Sequence, residues 1–407
     1  PRTSFAASFK IIRIEEPDSN ETLEILIKKS FDIEKKYNLI ISYKALLSAL
    51  NFGKKYIPER ANPGASVILL ENATNKAKLA KKTLVTEEDV VSEVNTKTNL
   101  PVGLPRGEEQ KILVNLENEM HKRLVDQEDA VSSVAEGMRR VRAGLESPKK
   151  PISFLFLGPT GVGKTETAKT LANLYFGGEA KIIRLDMSEF SGDDGVKKVL
   201  SADKGSLSDE IFYHPFSLIL LDEFEKASGA VQNVFLQILD DGRMTDNSGR
   251  TVSFVDSIII ATSNAGSEFI RESLLKNPVL PKDFKKSLLD YVQKERIFSP
   301  ELLNRFDELV VFKPLSATDL RKIANLMLSE VSQTMREKDI EVVFDGSTVD
   351  KVATDGASEE FGARPLRRFI QDNIEDILAK KILQGEIQRG DHIVVSFLDG
   401  TISVTKQ

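Results

Sequence analysis

The sequence predicts an α/β protein: a parallel sheet with helices on both faces, a helical domain before it and a smaller α+β domain after it. Three observations predict this. From Ile152 onward, the short apolar runs "ISFLFLG", "KIIRLDM", "FSLILLDE" and "VDSIIIATSN" alternate with helical stretches. A glycine-rich turn closes the first run, in "FLFLGPTGVGKTETAKTLA". The first 100 or so residues instead place apolar side chains at three- and four-residue spacing.

Residues 1–100 read as a helical domain carried by "ETLEILIKKSFDIEKKYN", "SYKALLSALNFGKKY" and "PGASVILLENATNKAKLAKK", the last with Pro63 near its start. The linker "KTNLPVGLPRGEE" follows. "EQKILVNLENEMHKRLVDQEDAVSSVAEGMRRVRAGL" reads as two helices broken near Val125 to Gln127, and "SPKKP" punctuates the chain before the sheet. The large domain is expected over 101–315. After "LVVFKPLSATDL" a long helix should run to about Lys338, followed by a strand "IEVVF", further helices and two strands, "DHIVVSF" and "TISVT". They form the small domain expected over 316–407, and no repeat or low-complexity tract interrupts the chain.

At 407 residues the chain is long enough for two to four domains. The balance of 62 acidic against 56 basic residues, net −6, gives no electrostatic reason for tight binding to bulk nucleic acid. With no cysteine there are no disulfides, thiolate metal sites or cysteine nucleophiles, which fits a reducing cytoplasm. The three histidines, His121, His214 and His392, are scattered and make no HExxH pattern, and no G-x-S-x-G occurs. No apolar run is long enough to cross a membrane and no signal peptide opens the sequence. The chain begins at Pro1 without a methionine and reads as a fragment of a longer one.

Gly158-Pro159-Thr160-Gly161-Val162-Gly163-Lys164-Thr165 matches G-x-x-x-x-G-K-[ST], with a strand before it and a helix after it. Such a turn aims backbone N–H groups at phosphate oxygens, and the following helix adds its positive end. It should bind ATP or GTP, with Lys164 reaching the β and γ phosphates and Thr165 on Mg2+. "LILLDE" ends a buried strand in Asp222, placed to hold hydrated Mg2+, and Glu223, placed to polarise an attacking water. Asn264, at the tip of "IIIATSN", either orients that water or simply opens a loop. Arg305, in "PELLNRFDELVVF", is either a surface charge or one supplied in trans to a neighbour's γ phosphate. Arg364, in "FGARPLRR", either reports the nucleotide's state to the small domain or is solvated.

In this order the motifs resemble the second ATPase ring of the Clp family of AAA+ unfoldases, the group containing ClpA, ClpB and ClpC. "RAGL", "LDMSEF", "ILLDEFEKA", "QILDDGRMTDNSGRTVSF", "TSNAGSEFI", "ELLNRFDE" and "FGARPLRR" carry the resemblance from about Leu116 onward. "FKIIRIEEPDSNETLEIL" and "LVTEEDVVSEV" resemble the small domain that ends the first ring. The resemblance implies an AAA+ fold and ATP as the nucleotide. It makes Lys164 and Thr165 the Walker A residues, Asp222 and Glu223 Walker B, Asn264 sensor 1, Arg305 the arginine finger and Arg364 sensor 2. It also places Val125 against adenine, although Asp126 precedes Gln127 where the family has glycine.

Three departures qualify what the resemblance implies. The threading loop of the family carries an aromatic residue and glycine, whereas "SGDDGVKKVLSADKGSLSDEI" is short and has no aromatic before Phe212, leaving "DDGRMTDNSGRT" as the other gripping segment. No isoleucine/leucine-glycine-phenylalanine tripeptide lies between Asn264 and Arg305, so docking to a ClpP-type peptidase is unsupported. "SFAASF" puts Ala7 and Ser8 where the first ring would carry its arginines. The leading expectation is a homo-oligomeric ring, a hexamer, that hydrolyses ATP between subunits and pulls on protein substrates. A nucleotide-gated scaffold and a non-threading motor acting on nucleic acid are the alternatives.

Overall fold

The computed structural model describes residues 16–57, 60–98, 105, 107–143, 150–277, 281, 283–358, 361–398 and 401–406. Ala7 and Ser8 lie outside these residues, as do 278–280 and 282 of the span searched for the peptidase tripeptide. The chain divides into two compact units, Pro1–Pro105 and Arg106–Gln407.

In the first unit, helices α1 (Ser19–Tyr37), α2 (Tyr43–Tyr56), α3 (Gly64–Leu79) and α4 (Glu87–Thr98) pack around Leu26, Ile33, Leu69 and Val90. Asp18 starts α1 by accepting from the amides of Asn20 and Glu21, and Glu21 returns the bond to the Asp18 amide. Between the helices, β1 (Ile40–Ile41) and β2 (Leu84–Val85) form a parallel pair that helical periodicity does not reveal.

The second unit opens with α5 (Glu108–Val114), α6 (Leu116–His121) and α7 (Glu128–Arg142), three helices where two were expected. The break before α7 has Asp126 and Gln127 in the left-handed region, at φ 57° and 66°. Strands β3 (Ile152–Leu157), β4 (Ile182–Asp186), β5 (Leu218–Asp222), then a hairpin of β6 (Arg243–Thr245) and β7 (Thr251–Ser253), then β8 (Ile258–Ser263) and β9 (Glu308–Val311) follow in chain order. Helices α8 (Lys164–Phe176), α9 (Gly195–Val199), α10 (Leu207–Tyr213), α11 (Gly229–Asp241), α12 (Ser267–Lys276), α13 (Phe284–Lys294) and α14 (Pro300–Leu303) connect them. The main sheet has the order β4-β5-β8-β3-β9 and is parallel throughout. Every residue of β3 and β8 is buried, which is why these runs are apolar on both faces. The carboxyl ends of β3, β8 and β5 lie side by side, where open α/β sheets bind ligands.

The remainder is α15 (Ala317–Arg336) and a three-stranded sheet of β10 (Glu341–Phe344), β11 (His392–Leu398) and β12 (Thr401–Lys406) in the order β10-β11-β12. Helices α16 (Gly346–Asp355), α17 (Arg364–Ile370) and α18 (Asp376–Leu383) cover it around Leu328, Val352, Leu366, Ile374 and Val395. This small domain touches the large one at the glycine-rich turn, where the Ala363 N–H donates to the Gly161 carbonyl at 3.1 Å. Among the described residues, no helix is long and apolar enough to cross a membrane.

Candidate functional site

The turn 158–165 leaves the end of β3 and enters α8 at Lys164. Gly161 sits at φ +75°, and a Cβ there would lie 1.9 Å from the Phe361 carbonyl oxygen. Only glycine lets the two domains approach so closely. Beside this contact is a cleft of about 680 Å³ lined by Pro159, Thr160, Val162, Leu315, Leu320 and Gly362, among others.

Lys164 is 8% exposed and closes the turn on itself. Its Nζ donates to the carbonyls of Gly158 at 2.5 Å and Pro159 at 2.8 Å, and to Asn264 Oδ1 at 2.9 Å. Burial lowers its pKa to about 8, against the opposing pull of the Glu225, Asp222 and Glu223 carboxylates. Thr165, one residue on, is half-buried in the first turn of α8.

Asp222 ends β5 and is held on both oxygens. The Thr262 hydroxyl donates to Oδ1 at 2.6 Å and Arg184 Nη2 to Oδ2 at 2.5 Å. Glu223 turns into the left-handed region at φ 57°, with its amide on Thr262 Oγ1 at 3.2 Å. That turn aims its carboxylate outward, where Oε2 meets Lys226 Nζ at 2.5 Å. Asn264 follows β8, and its Oδ1 accepts from Thr160 Oγ1 at 3.3 Å as well as from Lys164. Its backbone N–H donates to Glu225 Oε1 at 3.0 Å.

The structure therefore brings Lys164, Thr165, Asp222, Glu223 and Asn264 together at neighbouring strand ends. It does not bring Arg305 there: that guanidinium is 46% exposed and pairs with Asp240 at the end of α11, at 3.0 Å. Arg364 is exposed in the first turn of α17, one residue beyond the Ala363 amide that meets Gly161. Val125 is not in the cleft lining. Its segment is tied to the cleft wall through Gln127, whose Nε2 donates to the Lys313 carbonyl at 2.8 Å and whose Oε1 accepts the Lys313 amide at 2.9 Å. Burial pushes the Asp126 carboxyl up, and the nearby Glu128 and Asp319 carboxylates add to this.

Thr262, Glu225, Arg184 and Lys226 escaped the sequence reading. Each lies within or beside a quoted motif, but nothing in the spacing says where its side chain points.

The two segments expected above to grip substrate, 191–211 and 240–251, are folded against one another. The Asp246 carboxylate, at the tip of the β6–β7 hairpin, has no exposed surface and accepts from the Ser208 hydroxyl at 2.6 Å and Arg250 Nε at 3.0 Å. Burial pushes this carboxyl up, but the bonds from Ser208, Ser248 and Arg250 outweigh that and hold it well below the usual range. The Asn247 amide donates to the Leu200 carbonyl at 2.9 Å, and the Arg250 guanidinium lies 4.7 Å from the centre of the Phe212 ring.

The donors suit a magnesium nucleotide. Thr165 and Asp222 offer hard oxygens, and Mg2+ keeps waters and takes phosphate oxygens rather than a protein cage. Among the described residues, no cluster of three or more His, Cys, Asp or Glu side chains forms such a cage. The buried ammonium of Lys164, resting on the turn's own carbonyls, marks where phosphate oxygens would be received.

Comparison with known proteins gives concordant matches. Residues 149–309 match the family described as AAA domain (Cdc48 subfamily), 315–395 the C-terminal, D2-small domain of ClpB protein, and 18–128 the AAA lid domain. The chain is 45% identical over 337 residues to the chaperone protein ClpB of Aquifex aeolicus (strain VF5), covering 79% of this chain and 33% of that protein. It is 33% identical over 472 residues to the negative regulator of genetic competence ClpC/MecB of Bacillus subtilis (strain 168), covering 97% and 58%. It also matches the S. cerevisiae Hsp104:casein complex in its extended conformation, with a TM-score of 0.81, 32% identity, and 99% and 72% of the two chains covered. The chain thus spans about a third of that ClpB protein and less than two thirds of that ClpC/MecB protein.

Proposed function

The chain belongs to the Clp family of AAA+ ATPases, and we propose that it is one nucleotide-hydrolysing module of an ATP-driven protein unfoldase, the second of its full-length protein, together with the small domain of the module before it. The observation that carries this reading is the meeting of Lys164, Asp222, Glu223 and Asn264 at three adjacent strand ends, beneath a glycine-rich turn capped by the small domain.

In this reading Lys164 exchanges the Gly158 and Pro159 carbonyls for the β and γ phosphates of ATP. Thr165 and Asp222 hold Mg2+, whose contribution is to neutralise charge on the phosphates. Glu223, released from Lys226, orients the attacking water, and Asn264 steadies it from the neighbouring strand. Val125, outside the cleft lining here, would be brought to adenine and the exposed Arg364 to the phosphates. Arg305 leaves Asp240 to complete the site of the next subunit in a homo-oligomeric ring, a hexamer, so that hydrolysis depends on assembly. The small domain, in contact with the glycine-rich turn, carries the change outward to a protein substrate. Hsp104 has been solved with casein, which supports a polypeptide as the substrate class. The absence of cysteine supports a cytoplasmic setting. Neither a peptidase partner nor nucleic acid is proposed.

Three variants of the full-length protein test the reading. Lys164→Ala should lose nucleotide binding, and Glu223→Gln should bind ATP and trap the assembly. Arg305→Ala should bind ATP but barely hydrolyse it; normal turnover by that variant would refute a shared site.

A second reading, a nucleotide-gated scaffold that assembles without pulling, is favoured by the pinned hairpin and by the packing of Arg250 over Phe212. ATP-dependent loss of native signal from a labelled substrate requires pulling and would decide against it.

A further inference from the structure

The turns after β5 and β8 are joined by a side chain that no motif role accounts for. Glu225 Oε1 accepts the Asn264 amide at 3.0 Å. Its other oxygen, Oε2, is closed off from solvent and has no hydrogen-bond partner among the described residues. A buried, unpaired carboxylate oxygen is costly, so its surroundings must hold it in place against that cost. The holding element is Phe224, fully buried and packed on the rings of Phe235, Phe298 and Phe306 at 5.8, 5.7 and 6.3 Å. The backbone that carries Glu225 is therefore anchored in the core.

The contrast with Glu223 is informative. Glu223 points outward to a lysine that is 51% exposed, and it can change partner. Glu225, two residues on, is fixed to the backbone of the next strand's turn. From there Asn264 Oδ1 reaches Lys164 Nζ at 2.9 Å and Thr160 Oγ1 at 3.3 Å. One line of bonds thus runs from Glu225 through Asn264 to the glycine-rich turn.

We infer that Glu225 is a positioning residue for hydrolysis: by holding the backbone of the Asn264 turn, it sets where the Asn264 side chain meets Lys164 and the reacting phosphate. The inference rests on the reading of this cleft as the hydrolytic site. It concerns geometry, so an uncharged side chain that keeps an acceptor oxygen in the same place should serve.

The test uses the full-length protein, with Glu225→Gln, Glu225→Leu, Asn264→Ala and the Leu/Ala double variant. Binding is measured with a fluorescent, slowly hydrolysed ATP analogue, and turnover by phosphate release. Glu225→Leu leaves the Asn264 backbone N–H without its acceptor, and kcat at saturating ATP should fall about tenfold. Glu225→Gln should recover most of that loss. In the Asn264→Ala background the Leu substitution should cost little more, because its effect passes through the missing side chain. An undiminished kcat in Glu225→Leu, or the same loss with and without the Asn264 side chain, overturns the inference. So does failure of Glu225→Gln to recover turnover while it binds the analogue normally. Lys164→Ala separates this from the reading beneath it. If that variant still binds nucleotide, the site itself is misassigned; if it does not, an unaffected Glu225→Leu refutes only the positioning role.

Discussion

Replacing Gly362 by alanine tests the contact between the small domain and the glycine-rich turn. Gly362 has φ +57°, and an added Cβ would lie 2.8 Å from the Gly161 carbonyl oxygen and 3.0 Å from that of Thr160. The left-handed conformation costs an alanine about 1 kcal/mol. Relieving the contact requires the two backbones to part by roughly half an ångström, which stretches the 3.1 Å bond from the Ala363 amide to the Gly161 carbonyl. Losing that bond removes about 1 kcal/mol more. Gly390→Ala is the control: φ is +87° and nothing lies within 4 Å of the added Cβ, so only the backbone term applies. At about 2–4 °C per kcal/mol, Gly362→Ala should lower the melting temperature by about 4–8 °C and Gly390→Ala by about half as much. Titration with a fluorescent ATP analogue should show weakened binding only for Gly362→Ala, because only that change displaces the turn. Equal melting temperatures with undiminished affinity in both variants would refute the argument that the small domain holds the turn in shape.

Four further outcomes follow, three from the site and one from the β6–β7 hairpin. Lys164 has its folded pKa lowered to about 8, so affinity for an ATP analogue should decline as pH rises above that value, measured from pH 7 to 9.5. Between about 8 and 10.5 the folded chain binds fewer protons at Lys164 than the unfolded chain, so this group makes stability rise with pH across that window, visible as a smaller alkaline loss than in Lys164→Met. Thr262→Val removes the hydroxyl that joins Asp222 to the Glu223 amide, so turnover should fall about tenfold and the melting temperature by about 4–8 °C for the two lost bonds; full activity would show the bridge to be idle. Asp246→Ala should release the hairpin, raising hydrogen exchange at the Ser248 and Arg250 amides, both of which donate to its carboxylate; unchanged exchange would mean something else pins the tip.

The parts of the site readable from sequence are those that topology makes local. Strands buried on both faces are apolar runs, and a polar residue ending such a run lands at the sheet edge, which is how Asp222, Glu223 and Asn264 could be placed. Gly362 could not be paired with Gly161, because their contact depends on how two domains meet. Glu225 could not be told from an ordinary loop acid, since its direction follows from the left-handed backbone at Glu223 and from Phe224 sinking into the core. Arg184 sits on the edge strand β4, 57% exposed, and reads as solvated until Asp222 appears beside it. The β6–β7 hairpin has three-residue strands, too short for alternation to register. Arg305 was readable as a residue but not as a place: its guanidinium lies away from the cleft, paired with Asp240 at the end of α11, and no local pattern in the sequence announces that partner.

The site's bonds divide by burial, and the division matches what the proposed cycle of nucleotide binding and hydrolysis requires. Asp222, Glu223 and Arg305 have counter-charges in Arg184, Lys226 and Asp240 that are 57%, 51% and 44% exposed. Pairs with one partner this exposed contribute about 0–1 kcal/mol, so the exchanges of the proposed cycle, for metal, water or a neighbour's phosphate, meet little resistance. The bonds that must persist through the cycle are placed differently: Thr262 is 2% exposed, and Glu225 presents an oxygen sealed from solvent. Lys164 belongs to both groups, since it is buried like a fixed element yet must change partners. Its present acceptors are two backbone carbonyls and one amide oxygen, all neutral. A phosphate oxygen offers the same ammonium a charge-assisted bond of roughly twice the strength. The desolvation already borne by Lys164 in the free chain is therefore a cost that nucleotide binding, in the proposed role, need not meet again.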